Sequence, residues 1–238
     1  MFNFELMSHP VGSVGTVNGV MIATVTNNKD PENMGRVKLK FIIREESLET
    51  DWAPIASLMS GNGKGTLFIP EVGDEVLVAF HMGHLNRPYV IGCLWNKNAK
   101  PPAKDDKNNL RKIHSRSGHE LIFDDKDNAG KVTLKTSKGV QIILDDQNDK
   151  VTIGTKNDQQ KIVLAGASSG TITIETSGNK LTINNKGDVK LESVKSVTIK
   201  STQLKLEASA SMDIKANASL NIQSSGMLTL KGAMVKIN

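Results

Sequence analysis

Few residues in this chain are spaced for chemistry. His81-Met82-Gly83-His84 is a close histidine pair. Two such imidazoles suit a transition metal, but a zinc site needs a third protein ligand, and no Cys, Asp or Glu stands beside them. The pair follows a strand-like run and reads as a surface loop. His114 and His119 flank a polar stretch, where His119 reads as a structural hydrogen-bonding residue. Carboxylates are paired at Asp124-Asp125 and Asp145-Asp146. General acid–base catalysis wants two carboxyls converging on one substrate, whereas neighbours on an extended chain point to opposite faces. These pairs read as turn formers, and calcium there would need a regular ligand spacing that the sequence lacks. Gly61-Asn62-Gly63-Lys64-Gly65-Thr66 has the composition of a phosphate loop without its full spacing or a helix pattern behind it, and reads as a flexible loop. Cys93 is alone in an apolar run, so no disulfide framework exists and the thiol is expected to be inert. No catalytic residue, metal site or cofactor is expected.

The sequence specifies repetition instead. From Val189 it repeats apolar, polar, apolar, then a polar spacer. The apolar pairs are Val189 and Leu191, Val197 and Ile199, Leu204 and Leu206, Met212 and Ile214, Leu220 and Ile222, Leu228 and Leu230, Val235 and Ile237, at offsets of 8, 7, 8, 8, 8 and 7 residues. Alternation with period two is the strand signal. A fixed period over many copies means a stacked, quasi-one-dimensional body. The same phrase recurs upstream at Val132, Val140, Val151, Ile162, Ile172 and Leu181 with offsets of 8, 11, 11, 10 and 9, then 8 to Val189. The longer spacers hold Asp, Asn and Gly, so hairpins or wide loops are expected there.

Composition divides the chain. After Phe123 there is no Phe, Trp, Tyr, Pro or Cys. Each repeat offers about two aliphatic side chains to bury, too few for a single chain with a long open edge. Three copies wound about one axis solve that problem; a one-chain β-solenoid is the competing solution. Residues 1–109 carry 11 Lys/Arg and 12 Asp/Glu; residues 110–238 carry 19 and 13. The lysines read as a solvated outer face. Attraction to an anionic envelope is the sharper reading of the same charges. No aromatic lies among them for stacking, so nucleic acid is not expected as a partner. The N-terminus has no signal-peptide pattern and no window approaches a membrane span. Synthesis in the cytoplasm is expected.

Residues 13–95 read as a small β-barrel. Strands are expected over 14–25, with a turn at Asn18-Gly19, and over 36–42, 66–69, 75–80 and 88–95. Val37, Leu39, Phe41, Trp52, Val76 and Phe80 are the expected core. About five strands in this length suit an OB-fold. Gly35-Arg36-Val37-Lys38, Asp51-Trp52-Ala53, Phe68-Ile69-Pro70-Glu71-Val72-Gly73-Asp74-Glu75-Val76 and Arg87-Pro88-Tyr89-Val90-Ile91-Gly92 resemble the OB domain of phage baseplate assembly protein V and VgrG-type spikes. Ser115-Arg116-Ser117-Gly118-His119-Glu120-Leu121 resembles the lead from that domain into a β-helical needle. The resemblance implies an all-β chain: an extension (1–12), an OB barrel (13–95), a linker (96–112), an upper β-helix with wide loops (113–188) and a regular needle of an intertwined trimer (189–238). It implies the central spike of a contractile tail or injection apparatus, which pierces the target cell envelope and is not an enzyme. The hub domain of full-length spikes has no counterpart here, so a separate hub protein is expected at the barrel collar. A PAAR-repeat protein is expected as a cap on Leu228, Leu230, Val235 and Ile237. The alternatives are a β-helical glycan hydrolase, which would need converging carboxylates and aromatic platforms, and an OB-fold nucleic-acid binder with a trimerising tail.

Overall fold

The computed structural model describes residues 17–41, 49–166 and 169–237. The expected N-terminal extension 1–12, the strand start at Val14-Gly15-Thr16, Ile42 and Asn238 lie outside the described residues. The described chain is all-β apart from two single 3₁₀ turns. None of its helices is long and apolar enough to cross a membrane.

The front unit is built from β1 (Val20–Asn27), β2 (Lys38–Phe41), a small hairpin of β3 (Ser60–Gly61) and β4 (Lys64–Gly65), β5 (Glu75–Phe80) and β6 (Pro88–Leu94). The main sheet runs β2-β1-β5-β6, all antiparallel. Period-two alternation puts Ala23, Val25, Leu39, Val76, Val78 and Val90 on its inner side, where with Val37 and Ala53 they are fully buried. Phe41, Ile55, Ile69 and Phe80 pack on that cluster, with Phe41 and Phe80 ring centroids 5.6 Å apart. Trp52 lies outside it, with Lys38 Nζ 5.6 Å from its ring centroid.

A stretch without alternation closes the barrel. Val37 and Ala53 exchange both backbone hydrogen bonds, at 3.0 and 2.7 Å. On the opposite edge the Val90 N–H donates to Pro54 O and the Ala56 N–H to Val90 O, at 3.0 and 2.8 Å. Residues 53–56 thus bridge β2 to β6, and neither sheet edge is left open along that stretch. Thr66-Leu67-Phe68-Ile69, expected as a strand, forms none, and among the described residues its one backbone–backbone bond runs from Thr66 N to Met59 O. Leu67 and Phe68 face outward, and only Ile69 reaches the core. Gly61–Thr66, expected as a loop, is the β3–β4 hairpin. Gly65 there sits at φ +146°, and a Cβ would come within 2.4 Å of Met59 O, so no other residue fits.

Two turns hold the barrel's rim. Glu71 to Asp74 fold back so that the Gly73 N–H donates to Val25 O and the Val25 N–H to Asp74 O, both at 2.9 Å. The loop after β1 is clasped by Asp30, whose carboxylate accepts from Arg36 Nε and Nη2 at 2.8 Å each and from the Glu32 and Met34 amides at 3.1 Å. The Arg36 fork, opposed in part by desolvation and helped by the Glu32 and Arg36 amides, holds the Asp30 carboxyl well below the ordinary carboxylate range. A lowered pKa contributes stability above the unfolded-state value and loses it as pH falls through the folded one. Loop order is therefore expected to persist to pH values below those at which free carboxyls protonate. Asp30→Asn should make amides of residues 32–36 exchange faster at neutral pH; unchanged exchange would contradict the clasp.

The second unit is one nine-stranded meander. Its strands are β7 (Leu110–His114), β8 (Glu120–Asp124), β9 (Lys131–Lys135), β10 (Gln141–Asp145), β11 (Lys150–Gly154), β12 (Gln160–Ala165), β13 (Thr171–Thr176), β14 (Asn179–Asn184) and β15 (Val189–Ser193). They lie in chain order, each antiparallel to the next. β7 begins inside the stretch read as linker. Arg116 Nη1 donates to Glu71 Oε1 at 2.9 Å, tying the β7–β8 turn to the barrel rim.

Candidate functional site

The register of the meander lines its phrases into two aliphatic columns. One reads Ile113, Leu121, Leu134, Ile142, Ile153, Ile162, Ile174, Leu181, Leu191. The other reads Phe123, Val132, Leu144, Val151, Leu164, Ile172, Ile183, Val189. Both lie on the same face, because the column residues of each strand are two apart. Among the described residues nothing covers that face: Leu134, Leu144, Ile172 and Ile174 are all exposed. The opposite face is threonine-rich and carries ion pairs, including Lys131 to Asp145 at 3.0 Å and Lys161 to Glu175 at 3.7 Å.

Beyond β15 the exposure becomes complete. Among the described residues, every one from 195 to 237 is exposed, and none makes a backbone–backbone hydrogen bond within the chain. The structure places Val189, Leu191, Val197, Ile199, Leu204, Leu206, Met212, Ile214, Leu220 and Ile222 in solvent, with Ile199 and Leu206 each 66% exposed. Leu228, Leu230, Val235 and Ile237 are likewise exposed. A compact monomer of 25.8 kDa would expose roughly 10,500 Å². This chain exposes 20278 Å². Unpaired strand edges and aliphatic stripes on this scale mark a surface made to be covered.

The groups considered for chemistry are engaged locally. His81–Gly83 forms a 3₁₀ turn, and the His84 N–H donates to His81 O at 3.0 Å. Among the described residues no three His, Cys, Asp or Glu side chains converge as a metal site. His119 Nδ1 accepts from the Ser137 amide at 3.3 Å. His114 Nδ1 lies 3.1 Å from Glu120 Oε1, and this contact, with the Lys112 charge, lowers the Glu120 carboxyl. Asp125 pairs with Arg111. Asp145 is 5% exposed and is held below the ordinary carboxylate range by Lys131 and Asn148. It faces away from Asp146, whose amide donates to Gly130 O at 3.1 Å. Partial desolvation and the charge of Asp74 push the Cys93 thiol up, which lowers its thiolate fraction.

A small barrel followed by a repeat-built aliphatic ladder makes the described chain all-β. Residues 21–95 match the family model of the Type VI secretion system/phage-baseplate injector OB domain. The chain is also similar to VgrG-type spike proteins. It is 31% identical over 140 residues to the Type VI secretion system spike protein VgrG4b of Pseudomonas aeruginosa, covering 49% of this chain and 17% of the relative. It is 31% identical over 149 residues to the spike protein VgrG3 of Vibrio cholerae, covering 57% and 15%. The chain thus spans about a sixth of the length of these curated relatives.

Proposed function

We propose that this chain is one third of the central spike of a contractile injection apparatus. Three barrels form a collar, and three tails wind into a needle that concentrates the force of sheath contraction on the target cell envelope. The observation that carries this reading is the run 195–237, with extended aliphatic phrases in solvent and no backbone partner within the chain. A one-chain solenoid would pair segments of the same chain, and none of the described residues in that run is so paired. The spike relatives support the same reading. In it the needle is a mechanical part without a reaction of its own. Its stiffness comes from interchain backbone hydrogen bonds and a dry aliphatic axis.

Partners follow from the same surfaces. A hub protein fits the barrel rim at Asn27 to Asn33, whose backbone the Asp30 clasp already orders. A PAAR-repeat protein fits the aliphatics at Leu228, Leu230, Val235 and Ile237. The test is the mass of the intact folded chain by light scattering, with three chains per particle as the expected result. A monomer would overturn the proposal. Deleting residues 231–238 should leave three chains per particle and remove binding of a PAAR-repeat protein; full-affinity binding by the deleted form would sink the cap assignment.

A further inference from the structure

The aliphatic phrases set the register of such a needle only weakly. Every repeat offers two apolar side chains of similar size, drawn from Val, Leu, Ile and Met, so sliding one chain by a whole repeat buries nearly as much as before. Something outside the axis must distinguish one alignment from the next.

The residue after the phrase does so by sign over four successive repeats. These residues are Glu192, Lys200, Glu207 and Lys215, followed by the neutral Gln223 and then Lys231. Each lies one residue past an inward position, on the outer side of its segment. All are exposed. Glu192 and Glu207 have lysines of their own segments at 2.7 and 2.6 Å. Among the described residues, Lys200, Lys215 and Lys231 form no salt bridge within the chain.

Three-fold symmetry decides which residues become neighbours. With one segment per face, each chain moves on by one face per repeat. The segment stacked on repeat n of one chain is then repeat n+1 of the next chain. Neighbouring strands lie about 4.8 Å apart, so in that trimer each post-phrase residue meets the one of the following repeat directly across the ladder. Glu192 meets Lys200 of the partner subunit, Lys200 meets Glu207 of the partner subunit, and Glu207 meets Lys215 of the partner subunit. The column inside the phrase obeys the same rule: Lys190, Lys205 and Lys236 never adjoin, because Thr198, Asp213, Asn221 and Thr229 lie between. Slide one chain by one repeat, and Glu192 faces Glu207 while Lys200 faces Lys215. Like charges directly opposite are destabilising.

We infer that the outer face of residues 190–231 is a charge-coded interaction surface for second and third copies of this chain, which locks them one repeat out of step. The inference rests on the trimeric needle proposed above. It assigns a role to lysines that otherwise read as mere solvated surface.

The experiment uses the full chain. Lys200→Glu with Lys215→Glu turns three opposite adjacencies per chain into like ones. It should lower the melting temperature of the assembled particle by roughly 10 °C at low salt, and 1 M salt should shrink the drop. Reversing all five charges from 200 to 215 (Lys200→Glu, Lys205→Glu, Glu207→Lys, Asp213→Lys, Lys215→Glu) restores every product of signs except that with Glu192. It should recover more than half of the loss. Lys186→Glu with Lys195→Glu makes the same net-charge change away from the column, and should shift melting by only a few degrees. The inference is overturned if the first pair melts like this control, or if the five-fold reversal recovers nothing. A monomeric unmutated chain would instead overturn the trimer itself.

Discussion

Ile199→Asp is expected to abolish the detergent-resistant needle while leaving the barrel folded. Ile199 is 66% exposed in the single chain, so the lone protomer tolerates an aspartate there without penalty. In the proposed trimeric needle the same position would face the axis, and three-fold symmetry would bring three carboxylates together. A buried, unpaired charge costs several kcal/mol after relaxation, and mutual repulsion adds to it. Protonation would relieve part of the cost, so the defect should soften at acidic pH as the raised carboxyl pKa is crossed. Leu206→Asp, one repeat on, should behave alike. The readouts are particle mass in mild detergent and protease resistance of residues 195–237. A variant that keeps both the full mass and the protected needle would refute axial placement. The solvent-facing exchange Thr198→Asp, one residue away, serves as the contrast and should be nearly silent.

Leu39→Ala should do the reverse. Leu39 is fully buried between Val25, across the β1–β2 pair, and the rest of the barrel core. Truncating a leucine in such a place costs about 2–5 kcal/mol, through lost transfer energy and the cavity left behind. For a domain of this size that lowers the barrel's own transition by roughly 10–25 °C. The needle contains no contact to Leu39, so its assembly and protease resistance should stay as they were. Heat-induced unfolding of barrel and needle in a single coincident transition, shifted equally by both substitutions, would contradict this division.

The parts of the fold legible in the sequence are those governed by alternation. The phrases at Val132, Val151, Ile162, Ile172, Leu181 and Val189 coincide with strands, because period two is imposed by the backbone itself. The barrel strands around Val76 and Val90 were legible for the same reason. The closing segment 53–56 was not. Asp51-Trp52-Ala53-Pro54-Ile55-Ala56 has no alternation, and Pro54 argues against a strand. It closes the barrel because each flank needs only one or two bonds from it, and Pro54 contributes its carbonyl, for which no N–H is required. Thr66 to Ile69 misled in the opposite sense: four apolar or β-branched residues read as a strand, yet only Ile69 finds the core. Trp52, expected in the core, is half-buried, with Lys38 Nζ 5.6 Å from its ring centroid. The candidate site was legible as a pattern of two aliphatics per repeat. Its two continuous columns were not, since they depend on the pairing register of every hairpin in turn.

The meander lies in strict chain order, and this has a kinetic consequence. Each strand from Leu110 to Ser193 pairs only with its sequence neighbours, so each closure spans a short loop and costs little entropy. Such local pairing favours rapid formation on one chain, even as the chain emerges during synthesis. In the proposed trimer the repeats after Ser193 have no such option, because their partners would belong to other molecules. Their ordering would wait for three chains to meet, and its rate would climb with protein concentration. The ribosome can thus finish the barrel and the ladder alone, while the point of the needle is completed only by encounter.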